Sequence, residues 1–477
     1  MMFRSQLDSS QLTLSRRRWL HHGFTGAGLC LSNLLQMRAW AQPASDSPLQ
    51  PLEACIVIFY YGGPSHLDTY DLKPNAPADI RGEFNPISTK VPGLAICEHL
   101  PQMARMMHKV ALIRSMHHSN RLHDSASTEV LTGRQSPVGD REEFAPIRQF
   151  YPSVGSTVSY LRRELDIELP HAALPFVFHN VVDVPCQGGG FLGSIYDPLQ
   201  IDVDAAERKY RAGTISMVDG LTTPTVESRR RLLASMQPAA FGAQAMPLAL
   251  QWQNVSDRAF RLLASKSVIG ALDLTQELAS VRERYGYGLQ PKSVGEGGNG
   301  AELGTARHMR GQNLLVARRL VEAGVPFVNV YDFKQQGQNW DAHSKNFNQH
   351  KTHLLPLADQ SLSALIEDLD ARGMLETTLV VAMGEFGRTP KINKEGGRDH
   401  WPDCYTVLLA GGGVHGGAVW GASDRLGAFP ANDPVTPADL VATIFWRFGF
   451  DPTTEMHDAS GRPWRIADGQ PLKRLFA

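Results

Sequence analysis

The sequence predicts a mixed α/β protein: a mostly parallel sheet with helices on both faces, plus a helical insertion. Three observations carry this. The strongest apolar runs are continuous rather than alternating, as in strands covered on both faces. Segments with helical spacing lie between them, the pattern of an α/β chain. Several runs and helical segments stop at glycine, where chains turn.

The strands follow in order. "ACIVIFYYGG" (Ala54–Gly63) reads as a buried strand ending in glycines, and "KVALIRSM" (Lys109–Met116) as a second. "LPFVFHN" (Leu174–Asn180) is a third. "VPFVNVYDF" (Val325–Phe333), "TTLVVAMGEFG" (Thr377–Gly387) and "YTVLLAGGG" (Tyr405–Gly413) complete the set. Between them, "NLLVARRLVEAG" ends at Gly324, a suitable C-cap. "LADQSLSALIEDLDARGML" repeats Leu and Ile at helical spacing and carries Gly373 near its end. The region from about 202 to 304 differs. It holds amphipathic patterns such as "VESRRRLLASM" and "ELASVRERYG", then the glycine-rich "GEGGNGAELG", and is expected to be a helical insertion or cap.

The 477 residues can bury a large core. With 42% hydrophobic and 20% charged residues and a formal net charge of -1, the chain lacks the basic excess of a nucleic-acid binder. The N-terminal "SRRRWLHHGFTGAGLCLSNLLQMRAWAQ" has a basic start, an apolar stretch too short and polar to span a membrane, and small residues at Ala39 and Ala41. Ser15-Arg16-Arg17-Arg18-Trp19-Leu20 resembles the twin-arginine export motif. The expectation is a signal peptide over 1–41 and one α/β domain over 42–477, located in the periplasm or secreted. A basic amphipathic helix is the plainer alternative. Cleavage after Ala41 leaves Cys55, Cys97, Cys186 and Cys404, whose spacing matches no zinc pattern and whose pairing stays open.

Polar clusters follow four of the strands. "GGPSHLDTYD" carries His66, Asp68 and Asp71; "HHSNRLHDSASTEVLTG" carries His117, His118, His123, Asp124 and Ser125. "YDFKQQGQNWDAHSKN" carries Asp332, Asp341 and His343, and "GEFGRTPKINKEGGRDHWP" carries Glu385, Arg388, Arg398, Asp399 and His400. In open α/β sheets ligands bind beyond the carboxyl ends of the strands. Each cluster alone is an ordinary polar loop. Four at one sheet edge, combining His with carboxylates, suit divalent ions such as zinc or manganese.

On "GGPSHLDTYD", "LTG", "LLVARRLVEAGVPFV", "WDAH", "LVVAMGEFGRTPKIN", "GRDHWP" and "GRPWRIADGQPLKRLF", the chain resembles the alkaline-phosphatase and sulfatase superfamily. It looks closest to an uncharacterised family of twin-arginine-exported secreted bacterial proteins within it. The resemblance implies an alkaline-phosphatase-like core with two divalent ions (zinc, manganese, calcium or magnesium) at the sheet's carboxyl edge. Carried over by position, Asp68 is the first-strand ligand, Asp341 and His343 the Asp/His group, and His400 the late His. Glu385 stands where many members have adjacent Asp and His. Phe386 after it offers no donor, and Asp399 is the candidate replacement. Ser125 sits at the position of the attacking hydroxyl, with capping of its helix as the alternative. Arg388 or Arg398 would grip an anionic ester, with a structural ion pair as the alternative for each. The sulfatase nucleophile motif, Cys or Ser followed by x-Pro-x-Arg, is absent.

Two functions are expected to compete. One is a secreted metal-dependent hydrolase of phosphate or sulfate esters, with an anionic ester on a glycan among its substrates. The other is a metal-stabilised, non-catalytic binding or structural protein of the envelope with the same fold. The Asp68 and Glu385 carboxyls are expected to have raised pKa values without a cation.

Overall fold

The computed structural model describes residues 49–204, 207–212, 265–288, 308–333 and 340–476, with isolated positions between 225 and 235. The expected signal segment (1–41) and the glycine-rich stretch lie outside the described residues, as does most of "VESRRRLLASM".

The main sheet has eight strands: β1 (Ala54–Phe59), β2 (Val110–Met116), β3 (Ala172–Leu174), β4 (Leu199–Gln200), β5 (Phe327–Tyr331), β6 (Thr378–Met383), β7 (Tyr405–Gly411) and β8 (Val419–Trp420). Their spatial order is β8-β2-β7-β6-β1-β5-β3-β4. All neighbours are parallel except β7, which runs against both β6 and β2. The continuous apolar runs follow from the two-sided burial. Ala54, Ile56 and Ile58 of β1 enter one core, and Cys55, Val57 and Phe59 enter the other. Helices α1 (Pro101–Met106), α4 (Arg310–Glu322) and α5 (Leu355–Ala371) cover the first face. Helices α2 (His123–Thr132), α3 (Val154–Leu161) and α6 (Pro437–Arg447) cover the second.

The expected strand over Leu174–Asn180 needs correction. The strand is Ala172–Leu174, and the chain leaves the sheet at the cis Leu174–Pro175 bond, since proline has no N–H for the ladder. Among the described residues, Cys55, Cys97, Cys186 and Cys404 are buried and free.

Register brings the polar loops together. Phe59 pairs with both Tyr331 and Met383, so β1, β5 and β6 end level. Because β7 is reversed, its first residue, Tyr405, pairs with Met116 at the end of β2. The segment entering β7 therefore meets the segments leaving the other strands.

Within the region expected to be an insertion, the described residues form a hairpin (Asp202–Asp204 with Lys209–Arg211) and two short helices, Lys266–Leu272 and Ala279–Arg284. Its helical part docks on α4. Buried Arg318 pairs with Glu277, Glu322 and Asp368 and thereby ties the insertion to α4 and α5. Gly311 allows the approach: a Cβ there would lie 1.7 Å from the Tyr285 carbonyl oxygen. Gly311→Ala should therefore push Tyr285 off α4 and cost about 1–3 kcal/mol or more. Thermal or denaturant unfolding of the purified variant measures this, and an unchanged midpoint would show that the backbone yields freely.

Candidate metal centre

The centre is built where these loops meet. His123 is the first residue of α2. The N-terminus of that helix is capped from another loop: Asp140 accepts from the backbone N–H of Arg121 and Leu122, and Glu142 from that of His123. Asp341 follows Trp340, whose indole donates to Asp332 (2.9 Å). Asp332 is gripped at both oxygens by buried Arg310. His400 lies opposite Arg388 in a short antiparallel pair, Gly387–Arg388 with His400–Trp401. Backbone bonds from Arg398 N to Ala342 O (3.0 Å) and from Asn346 N to Gly396 O (3.0 Å) clamp this loop to the one carrying His343. Gly397 permits the contact, since a Cβ there would sit 1.9 Å from the His343 carbonyl oxygen.

Three imidazoles converge on Asp341. His123 Nε2 lies 3.4 Å from its Oδ2; His343 Nε2 and His400 Nε2 lie 3.0 and 3.2 Å from its Oδ1. The His343 and His400 Nε2 atoms are 3.0 Å apart. Ligands held about 2.0–2.1 Å from one tetrahedral ion lie about 3.3 Å from each other, so the spacing fits a shared cation. His123, Asp341 and His400 each offer a donor atom within 4.8 Å of the others.

The far sides of the rings settle the tautomers. His123 Nδ1 donates to Glu385 Oε1 (2.7 Å), His343 Nδ1 to Asp399 Oδ1 (2.7 Å) and His400 Nδ1 to the Arg121 carbonyl (2.7 Å). Carboxylates and carbonyls only accept, and the Nδ1 contacts are shorter than those of Nε2 to Asp341, so the neutral rings carry their proton on Nδ1. Three bare Nε2 lone pairs then face one carboxylate, an arrangement that needs a metal ion or extra protons. The buried His123 Nε2 makes no hydrogen bond.

Without an ion, protons take that role. Burial opposes charge on His123, but the carboxylates of Asp341 and Glu385 lift it from 6.5 to about 9. Burial also works to raise the Asp341 carboxyl, yet the Arg388 guanidinium and the three imidazoles hold it far below the usual carboxylate range. His343 is raised, chiefly by its hydrogen bond to Asp341. Burial lowers His400.

The structure thus brings together Asp341, His343 and His400. It adds His123, which the sequence placed in the cluster after the second strand without a ligand role. No spacing rule singled it out; its place at the start of the helix after β2 was the available signal. Five other assignments need correction, Asp68 last. Glu385 lies behind His123, with Oε1 accepting from that ring and from Gly62 N (2.8 Å). Asp399 lies behind His343, because its carboxylate meets Nδ1 rather than the centre. Arg388 is fully buried and donates to Asp341 Oδ1 (2.6 Å) and to the Gly62, Gly63 and Arg398 carbonyls, so it positions Asp341 and cannot grip a substrate. Ser125 donates to Asp140 Oδ1 (2.6 Å) and the Leu122 carbonyl, two residues round α2 from His123 and on its opposite side.

Asp68 is bound by Arg398 through Oδ2 (2.7 Å) and Oδ1 (3.0 Å). Burial would raise its pKa, but this pairing lowers it below the ordinary value, the reverse of the expected direction. Of the remaining histidines, His118 braces the Glu385 carbonyl (2.6 Å) and His66 that of Gly427 (2.8 Å).

A family model described as "Protein of unknown function (DUF1501)" matches residues 52–476, and the chain belongs to that family. No curated protein matches the sequence. Among solved structures the chain is similar to a mutant of the alkaline phosphatase PafA, at 8% identity over 90% of this chain and 100% of that one, with a TM-score of 0.42. It is also similar to the phosphonate monoester hydrolase SpPMH from Silicibacter pomeroyi, at 12% identity over 90% and 76%, with a TM-score of 0.35. A third is the PsFucS1 sulfatase from Pseudoalteromonas sp., at 13% identity over 88% and 70%, with a TM-score of 0.33. At these identities the likenesses assign no chemistry to this chain.

Two outcomes follow from the geometry. Glu385→Gln should weaken metal binding about 10–100-fold without changing the number of ions, as loss of an outer-shell partner does. Calorimetric titration reads both quantities, and unchanged affinity would reduce Glu385 to a loop anchor. In metal-free protein, His123 has a folded pKa (about 9) above its ordinary 6.5. Its stabilising contribution is complete below about pH 6.5 and is lost as pH rises through 9. The melting temperature of chelator-treated protein should fall across that window, and His123→Ala should flatten the fall.

Proposed function

We propose that this DUF1501 protein is a metal-dependent hydrolase of phosphate or sulfate esters that works outside the cytoplasm. The observation that supports it most is the convergence of three imidazole Nε2 atoms on the Asp341 carboxylate. His123, Asp341, His343 and His400 would hold a divalent ion there. When bound, such an ion supplies Lewis-acid polarisation of an ester oxygen and activation of water.

The chain's own residues do the rest. Glu385, Asp399 and the Arg121 carbonyl fix the ring orientations, and Arg388 fixes Asp341. Ser125 is committed to Asp140, so the nucleophile in this reading is water. The side chain of His343 is 45% exposed, and a substrate would approach from this open side. Arg121 is exposed, stacks over Trp401 next to His400, and has Phe429 beside that ring. The Arg121 guanidinium also pairs with Asp403 (2.6 Å), so it is the aromatic surface of Trp401 and Phe429 that favours an ester carried on a ring, such as a sulfated or phosphorylated glycan.

A second reading has its own support. With His343 joining His123, Asp341 and His400, four protein donors would complete a tetrahedral set, which is the habit of structural rather than catalytic zinc sites. In that case the protein is a metal-stabilised binding or structural component of the envelope.

The readings part on assay. Purified mature protein, loaded with each of zinc, manganese, magnesium and calcium, should hydrolyse at least one of a set of aryl phosphate, phosphodiester and sulfate esters. His400→Ala should lose both ion and turnover. Metal-loaded protein that is inert towards the whole set, yet unfolds on chelation, would establish the second reading. Export rests on the N-terminal motif alone: replacing Arg16 and Arg17 with Lys should retain the precursor in the cytoplasm, and normal export would remove the twin-arginine route.

A further inference from the structure

The resemblance leads one to expect a second ion at Asp68, and the residues there do not fit one. Asp68 is fully buried. Its Oδ2 accepts from Arg398 Nε (2.7 Å), Ser65 Oγ (2.6 Å) and Asn346 Nδ2 (2.9 Å), and its Oδ1 from Arg398 Nη2 (3.0 Å). Arg398 is equally buried and places its remaining N–H groups on the carbonyls of Thr389, Pro390 and Ile80. All five donors of a group that stays charged at any working pH are therefore in use. The space is also filled: a Cβ on Gly82 would stand 3.2 Å from Asp68 Oδ1 and 2.5 Å from the Phe347 ring.

Of the other residues expected at a second ion, each has one carboxylate oxygen bonded elsewhere, while Glu385 Oε2 is buried without a hydrogen bond. Glu385 Oε1 serves His123 and Gly62, and Asp399 serves His343. Phe386, which has no donor, lays its ring 4.5 Å from that of His400. Two of the three mutually close donors at the remaining position are imidazole nitrogens, and His343 Nε2, 3.0 Å from that of His400, adds a third. Such a set suits zinc and its transition-metal neighbours, whereas magnesium and calcium prefer oxygen.

We infer that the centre takes a single nitrogen-preferring ion of the zinc class, and that the Arg398 guanidinium permanently fills the place of a second cation. The inference rests on the metal reading above and deepens it. Arg398 neutralises Asp68 without reaching substrate, so chemistry here would proceed without a two-ion clamp on the attacking and leaving oxygens.

The test is metal stoichiometry of the full mature chain, stripped with chelator and titrated separately with zinc, cobalt(II), magnesium and calcium. Elemental analysis should give one equivalent of zinc or cobalt. Magnesium and calcium should bind at least about 100-fold more weakly. The cobalt(II) form should show the intense visible absorption of a low-coordinate, nitrogen-rich site. Asp68→Asn should keep the single equivalent, and His400→Ala should lose it. Two equivalents in the unmodified protein would overturn the inference while leaving the centre standing, as would magnesium or calcium binding as tightly as zinc. No bound equivalent at all would overturn the metal reading and this inference with it. The unmodified protein decides the matter even if Asp68→Asn, which leaves a buried guanidinium unpaired, fails to fold.

Discussion

The charge on Asp341 is the constraint around which this sheet edge is organised. A carboxylate withdrawn from water needs compensation, and here it comes from two sides. Arg388 neutralises it from within the protein, and three imidazoles face it from the other side. Arg388 can do so only because it also binds the Gly62 and Gly63 carbonyls, which fixes the turn after β1. The imidazoles can do so only because each has an acceptor behind it. The turn after β1, the start of α2, the loop after β5 and the hairpin before β7 are thus parts of one electrostatic arrangement.

The same device recurs without an open centre. Arg398 with Asp68, Arg310 with Asp332, and Arg318 with Glu277 and Asp368 are all buried. Buried ion pairs contribute little net stability, because desolvation offsets the Coulomb attraction, yet breaking one is costly. Each of these joins segments distant in sequence. Their effect is to hold loop register: Arg310 and Asp332 set Trp340, and Trp340 precedes Asp341 in the chain. A misregistered loop would strand a buried charge, so few alternative loop packings compete.

Residues that touch an ion and residues that orient those touching it look alike in a sequence. Glu385 and Asp399 have the composition expected of ligands, and both lie one step out, behind His123 and His343. The distinction matters chemically, because an outer carboxylate sets the tautomer and basicity of its imidazole instead of sharing the ion. Phe386 belongs to the same layer. Its ring packs against His400 and lies 5.1 Å from that of His123, which restricts both in orientation.

Read alone, the sequence determined the layered α/β plan, since continuous runs such as Cys55–Phe59 and Thr378–Met383 admit only strands covered on both faces. It also placed His and carboxylates at one edge, including Asp341, His343 and His400, because strand ends deliver the loops that follow them. The short strand at Ala172–Leu174 escaped it: three residues carry too little pattern, and the apolar "PFVF" after them is only partly buried and lies outside the sheet. Tertiary structure decided which charges met. Whether Asp68 faced a metal or Arg398 depended on a pairing across 330 positions. Whether Ser125 or His123 faced the centre depended on the rotation of one helix. Local sequence encodes neither, because both are settled only when the sheet closes in register and each buried charge takes the nearest opposite one.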